Sequence, residues 1–419
     1  MLLIVQIVIT LTHILCVRQE RVMMSSTRTR VLWIYGTILF LFLGASAAIT
    51  PLYPLYHEQW HASLPMLQAA FAIYALTLLL ALLCFGALSD YLGRRPVIWL
   101  AIAVEIIAML QLSVAGGIAD VIRGRALQGL ATGVATSALS AGLQDAHRER
   151  GGLISGMVPM GSMAALALGS ALLVRFAPDP LHFVFWLLAA GLAMSAGAVF
   201  AVPETVSRIP GVFASLRPRI HVPLAARGAM LRIAPANIAV WALAGLLLSL
   251  GPTIARIASH NNGGTLLGGT VVAVVMAPAL VAMVVHLAGA NALLLRRGAV
   301  AVLVGLPLVL IGLHIVSLTV FLVGAAIAGA GLGLTVQGAL RTIVPLAEAH
   351  ERAGLAASYF VMSYLAFSAP AFVAGFAVRA GGLRATTDAY VALLLLLTAL
   401  TLRGLSRDEA SDTCPVRSR

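Results

Sequence analysis

GALSDYLGRRP, residues 86–96, is a short polar turn set between two apolar runs, 64–86 and 97–116. Each run is long enough to cross a bilayer core, which takes about 20 mostly apolar residues. Within the turn, Gly86 and Gly93 permit close helix approach and a sharp change of direction. Asp90 is placed to cap a helix or to pair with a nearby arginine, tying two bundles together on one face. Arg94 and Arg95 put positive charge at one membrane surface. The stretch therefore reads as the tight end of a membrane hairpin.

The rest of the chain repeats this pattern. Of 419 residues, 61% are hydrophobic and 10% charged, against about half and about a quarter in soluble domains. Twelve apolar runs qualify as spans: 31–55, 64–86, 97–116, 119–142, 153–176, 181–202, 235–257, 266–289, 299–317, 319–344, 355–378 and 388–404. One further run, Leu2–Val17, is short for a span and lacks a basic flank before it and a small-residue cleavage site after it. We read residues 1–30 as an extension, with translation starting at Met23 or Met24; a peripheral or partly inserted helix is the other reading.

The net charge is +12, and all 27 basic residues are arginine. They fall in short segments between apolar runs, which suits anionic lipid and topology control rather than nucleic acid. With a cytoplasmic N-terminus, 21 arginines lie inside. The other six, Arg123, Arg125, Arg175, Arg256, Arg379 and Arg384, lie on or toward the outside. This bias places both termini in the cytoplasm, with residues 406–419 as a cytoplasmic tail. Cys16, Cys84 and Cys414 lie too far apart in sequence to form a C-x-x-C pair, so neither a disulfide framework nor a Cys-rich zinc site is expected.

HEQWH, residues 57–61, has the H-E-x-x-H spacing that on a helix places His57 and His61 on one face for zinc, with Glu58 as base. It falls in the short outer loop after PLYPLY, where Pro51, Pro54 and Pro65 argue against a continuous helix. No third ligand is motivated, so we expect no metal; an intramembrane zinc protease is a remote alternative. A G-x-x-x-x-G-K-[ST] phosphate loop is also missing from the sequence, and we expect no cofactor and no enzyme activity.

Twelve spans divide into two sixes. DAHRERGGLISGM begins at Asp145 after the fourth span, and EAHERAGLAASYF at Glu348 after the tenth. At an offset of 202, Glu149, Arg150, Gly152 and Leu153 meet Glu351, Arg352, Gly354 and Leu355. Parallel halves of this kind are a transporter architecture. The expected organisation is a bundle over 31–202, an Arg- and Pro-rich cytoplasmic linker over 203–233 with a short surface helix near Ala225, and a second bundle over 234–405.

Gly86, Leu88, Asp90, Gly93, Arg94 and Arg95 resemble the signature of the major facilitator superfamily, G-x-L-a-D-r-x-G-r-k, with Tyr91 in place of a base. RALQG, from Arg125 to Gly129, is similar to the R-x-x-Q-G of the family's bacterial drug–proton antiporters. PLYPLY closes the first span as a Pro-rich motif does in drug exporters, and GLGLTVQGALR and WALAGLLLSLGP look like tenth- and seventh-span sequences of bacterial members. A fifth-span motif, G-x-x-x-G-P-x-x-G-G, is matched only by Gly161, Ala165, Gly169 and Ser170, with Leu166 at the proline. Those small residues are expected to pack helices closely. Of the signature's expected second copy, NALLLRRG remains, with Arg296 and Arg297.

The resemblance implies an all-α membrane protein whose 12 transmembrane helices form two six-helix bundles related by a pseudo-two-fold axis. It would sit in the bacterial inner membrane as a monomer, and the signature loop would latch the outward-open state. Spans 1, 4, 7 and 10 would line a central cavity. Candidate substrate contacts there are Thr50, Gln128, Thr132, Asn237, Trp241, Gln337 and Arg341, with Ser46, Thr136, Ser249, Tyr74, Tyr359 and Tyr364 as further polar groups. Glu105 lies roughly 15 Å from the inner end of its span and Arg125 roughly 10 Å from the outer end of its own. Overlapping depths make them a candidate proton-coupling pair; a fixed structural ion pair, or a Glu105 that stays protonated, is the rival reading. Few amides and 6% aromatic residues suit amphipathic or apolar compounds better than sugars. Proton-coupled efflux of such small molecules is the expected function; uptake of a small organic anion through Arg125 and Arg341 is the alternative. With Cys16 and Cys84 replaced by serine, Cys414 in the tail is expected to stay unlabelled by a membrane-impermeant maleimide in intact cells; labelling there overturns the orientation.

Overall fold

The computed structural model describes residues 27–216, 220–260, 264, 266–287, 289–348 and 351–412. Leu2–Val17, Met23, Met24, Arg217, Arg219, Cys414, Arg417 and Arg419 lie outside the described residues. Among the described residues there is no strand, and twelve long helices carry the fold. These are α1 (Thr27–Trp60), α2 (Leu64–Phe85), α3 (Arg94–Ser113), α4 (Ile118–Ala146), α5 (Arg148–Phe176) and α6 (Phe183–Val199). The second half holds α7 (Leu224–Ser249), α8 (Leu267–Val285), α9 (Asn291–His314), α10 (Leu318–Ile343), α11 (Arg352–Gly381) and α12 (Leu383–Asp412).

Ten of them are long and apolar enough to cross a membrane. Of the remaining two, α6 is apolar but only 17 residues long. The other, α4, carries Asp120, Arg123, Arg125 and Gln128. It packs against α2 and α3, so its central polar side chains meet protein rather than lipid. Several helices begin earlier than their apolar runs. The seventh starts at Leu224, runs through Pro235 and absorbs the surface helix expected near Ala225. Hydropathy marks where a helix meets lipid, whereas backbone hydrogen bonding carries the helix on into the headgroup layer.

HEQWH corrects the sequence reading. α1 tightens into a 3-10 turn at Thr50–Leu52 and continues as helix over Tyr53–Trp60. Each of these segments takes its proline at one of its first two positions, where a missing N–H costs no hydrogen bond. His57, Glu58 and Trp60 are therefore helical, and His61 ends the segment at φ 51°.

Packing between helices repeats at an offset of six. α2 with α4, α3 with α4 and α3 with α6 recur as α8 with α10, α9 with α10 and α9 with α12. Across the halves, α5 meets α8 and α2 meets α11, the same contact under the two-fold exchange. α9 and α10 approach closely through glycines spaced by seven on both: Gly298, Gly305 and Gly312 against Gly324, Gly331 and Gly338. A Cβ on Gly305 would lie 2.5 Å from the Ala328 backbone N.

On α5 the close-packing face is not the one expected. Gly161 would bring a Cβ within 3.2 Å of Leu280 on α8, but Gly169 has nothing within 4 Å and Ala165 is exposed. The buried small residues along this part of the helix are Ser162, Ala164, Ala167, Ser170 and Ala171. A Cβ on Gly269 of α8 would come within 2.6 Å of Ala171. Leu166, standing at the expected proline, packs on Gly44 of α1. Replacing Gly305 with leucine is expected to destabilise the purified protein by about 1–3 kcal/mol through overpacking, read as a lower melting temperature in detergent. Leucine at Gly169 is expected to leave it unchanged; equal shifts would overturn the assignment of faces.

Candidate functional site

Two polar assemblies stand out against the apolar background. The first is the turn of residues 86–96. Asp90 lies in a short helix, Leu88–Leu92, ended by Gly93 at φ 96°. Gly86, by contrast, is helical, at φ −57°. Arg94 is buried and donates to Asp90 Oδ1 at 2.5 Å, Ser89 Oγ at 2.7 Å and Asp145 Oδ2, at the end of α4, at 3.0 Å. Glu204, just past α6, accepts from the backbone N–H of Arg94 and of Arg95, both at 2.9 Å. A carboxylate is favoured there by the unpaired amides at a helix N-terminus. A Cβ on Gly93 would come within 2.8 Å of Glu204 Oε2, so glycine answers both the backbone angle and the close approach. All these partners lie in the first six helices or directly after them; Asp90 ties α3 to its own half rather than to the second bundle.

The second assembly lies at the heart of the fold. Arg125 is 1% exposed, one of the largest fully buried side chains. Its Nε donates to Ala70 O on α2 at 3.4 Å, and its Nη1 to Ser46 O on α1 at 3.2 Å and to Gln128 Oε1 at 2.5 Å. Its guanidinium carbon sits 4.0 Å from the Tyr74 ring centroid, a cation–π contact. Gln128 Nε2 donates to Glu105 Oε1 on α3 at 3.2 Å. The acid and base named from the sequence do come together, though not as a direct ion pair, because Gln128 stands between them. Glu105 is fully buried, and its Oε2 has no partner. Thr132 spends its hydroxyl on Gln128 O, one turn back.

The second half supplies aromatic rings. Trp241 on α7 lies 5.3 Å from Tyr364 and 6.1 Å from Phe367 on α11, centroid to centroid. Phe367 lies 4.8 Å from Phe71 of α2, joining this cluster to the helix that carries Tyr74. Asn237 donates to Ser363 Oγ at 2.9 Å. Asn237 Oδ1, Trp241 Nε1 and Tyr359 OH are buried with no hydrogen-bond partner, an expensive condition away from water.

Three other candidates lie apart. Thr50 sits in the 3-10 turn of α1. Gln337 donates to Met283 O at the end of α8, and Arg341 reaches Gly289 O at 3.5 Å, between α8 and α9. At the end of the bundles that carries residues 50–61, Arg256 pairs with Glu58 at 2.5 Å and a Cβ on Gly268 would come within 2.8 Å of Pro51, so the two halves meet there. His57 Nδ1 is engaged with Ala62 O at 2.7 Å. Among the described residues, no three His, Cys, Asp or Glu group as metal ligands.

Glu204, Asp145, Gln68, Phe71 and Phe367 were not picked out from the sequence as site residues. Gln68, 2% exposed with Oε1 unpartnered, carried a signal as an amide in an apolar run. The two phenylalanines carried none.

The Major Facilitator Superfamily profile matches residues 35–370. The chain is 31% identical over 195 residues to multidrug resistance protein MdtL of Escherichia coli O6:K15:H31 (strain 536 / UPEC), covering 42% of this chain and 49% of that protein. MdtL of Escherichia fergusonii matches to the same extent. The chain thus spans about half the length of the curated relatives it matches. In three dimensions it resembles a bacterial homolog to the human lysosomal transporter Spinster in its inward-facing, unoccupied conformation. That likeness has a TM-score of 0.71 at 14% identity, over 93% of this chain and 99% of the other. A POT family transporter in complex with 5-aminolevulinic acid gives a TM-score of 0.72 at 13% identity, over 92% and 96%.

Hydrogen bonds to charged groups contribute about 1.5–3 kcal/mol each, so Gln128→Met, which removes two, is expected to lower the melting temperature clearly. Thr136→Val is expected to leave it near wild type, since the Thr136 hydroxyl has no partner; similar melting shifts would remove Gln128 from its bridging role.

Proposed function

The chain belongs to the Major Facilitator Superfamily, and on that premise we propose that it is a secondary active transporter exporting small amphipathic or hydrophobic compounds in exchange for protons. The observation that carries this reading is the buried line Arg125–Gln128–Glu105, joined through Tyr74 and Phe71 of α2 to the aromatic cluster of Trp241, Tyr364 and Phe367. A ring-bearing compound would stack on those aromatics, and a polar group on it would satisfy Asn237 Oδ1 and Trp241 Nε1.

Glu105 is the proton carrier in this reading. Protonated, it is neutral and still accepts from Gln128. Ionised, it shares the charge of Arg125 through the Gln128 amide, whose oxygen faces the guanidinium and whose nitrogen faces the carboxylate. Both forms have a place in the same packing, which a shuttle requires. Arg125 does not move with the proton; two backbone carbonyls and the Tyr74 face hold it.

The closed outer end corresponds to an inward-facing state, with the bundles over 31–202 and 234–405 rocking about the α2–α11 and α5–α8 contacts. In the outward-open state the turn of residues 86–96 would act as the latch, and Asp90 and Arg94 would exchange partners there. Both termini and the 203–233 linker are placed in the cytoplasm of a bacterial inner membrane, and the transporter is placed there as a monomer. Uptake of an organic anion is disfavoured because Arg341 is engaged at Gly289, leaving Arg125 without a second cation at the centre. In proteoliposomes, a transported compound is expected to trigger proton release by the wild type and none by Glu105→Gln. Unchanged pH-driven transport by that variant would dismiss Glu105 as carrier, and accumulation driven by inward protons would favour uptake.

A further inference from the structure

α1 and α7 are partners under the exchange of halves, and both break before they end. Past the turn at Thr50–Leu52, α1 resumes as an eight-residue helix, Tyr53–Trp60. Past Leu250, α7 resumes as another eight-residue helix, Gly251–Ala258. Pro54 and Pro252 each stand second in their segment, where a missing N–H costs no hydrogen bond. Leu52 and Leu250 precede the segments with similar backbone angles, φ −86° and ψ −21° against φ −97° and ψ −16°. Tyr53–Trp60 packs on α2 and Gly251–Ala258 on α8, the same contact six helices on.

Leu52 with Leu250 and Pro54 with Pro252 share one offset of 198 residues, and at that offset Glu58 falls on Arg256. These counterparts face each other, Arg256 Nη1 donating to Glu58 Oε1 at 2.5 Å. A residue that touches its own counterpart lies on the axis relating the two copies. The ion pair therefore spans the pseudo-two-fold axis, at the end of the bundles that carries residues 50–61. Both helices link it to the central site. Glu58 lies roughly 18 Å along α1 from Ser46, whose carbonyl holds Arg125, and Arg256 roughly 22 Å along the α7 direction from Trp241.

Packing around the pair leaves it reversible. A hollow of about 300 Å³ lies between the halves, walled by Pro54, Leu55 and Glu58 from the first and by Pro252, Arg256 and Leu267 from the second. Apolar surfaces held apart gain little dispersion attraction, so the charges are the directional contact across the hollow. The Glu58 side chain is 52% exposed and that of Arg256 36%. Once parted, both are hydrated rather than stranded in an apolar interior, so the contact is weak enough to be made and broken repeatedly.

We propose that Glu58 and Arg256 form the tie that holds this end of the two halves together, made in one state of the transport cycle and broken in the other. The inference rests on the transporter reading for the existence of two states and not on what is carried. The test uses the full chain in nanodiscs, without a transported compound and with Cys16, Cys84 and Cys414 replaced by serine. Spin labels stand on cysteines placed at Ala119 and Thr319, both exposed and each the second residue of its helix, α4 and α10, at this end. Pulsed electron spin resonance reads the ratio of long to short distances between them. Glu58→Gln is expected to raise that ratio about threefold, within the range for an exposed pair, and Glu58→Arg to raise it further. Glu58→Arg combined with Arg256→Glu is expected to restore the wild-type ratio, because the axis maps each position onto the other. In about 1 M salt, where the screening length is about 3 Å, the wild type is expected to move to the ratio of Glu58→Gln. A wild-type ratio in both single variants, or a double variant that stays with Glu58→Arg, overturns the tie. Where Glu58→Arg fails to fold, a ratio unmoved by Glu58→Gln and by salt overturns it instead. Neither result touches the proton-release assay on Glu105→Gln, so the two readings fail separately.

Discussion

A guanidinium buried among helices, with 1% of its residue's surface exposed, is the constraint around which this molecule is arranged. Hydrocarbon offers no partners, so every donor of Arg125 has to find its acceptor within the protein. The fold answers Nε and Nη1 with carbonyls from α2 and α1 and an amide from its own helix, and lays the face of Tyr74 against the guanidinium. These partners come from three helices, so α1, α2 and α4 must hold their relative rotation as well as their separation. The polarity that makes α4 the least span-like of the long helices is thus the polarity that organises the first half. Lipid is kept from α4 by α2 and α3 on either side.

The two halves share a packing plan and divide the chemistry. The plan shows in contacts that recur at an offset of six helices, and in cross-half contacts that map onto each other. The first half holds the ionisable groups, Glu105 and Arg125, and the arginine-centred turn. The second half holds Trp241, Tyr364 and Phe367, with unpaired polar atoms beside them. Phe71 against Phe367 is where the two meet. Glu58 and Arg256 join the halves, whereas the partners of Arg94 stay within one.

Much of this was legible in the residues. Alternating apolar runs and arginine turns are imposed by the bilayer as solvent, and so the helix number and the division into two sixes could be read from composition and charge. The signature turn was legible because a left-handed glycine, a short acidic helix and paired arginines are local features. Helix limits were less so: Leu224, Arg94 and Asn291 start their helices in polar sequence, where hydropathy carries no signal.

What waited for three dimensions were matters of rotation and distance. Gln128 was a candidate substrate contact; only the crossing of α3 and α4 makes it the bridge between acid and base. Gly161, Ala165 and Gly169 share a face, but which face of α5 meets α8 depends on how the helix is turned, and the turn favours Ala167 and Ala171. HEQWH has the spacing of a metal site and, on the structure, the helix as well, yet Glu58 is committed to Arg256 and His57 to Ala62. A linear order of side chains states which groups have to be hidden from lipid. It does not state which helix face hides them, because that depends on the shapes of neighbours far away in the chain.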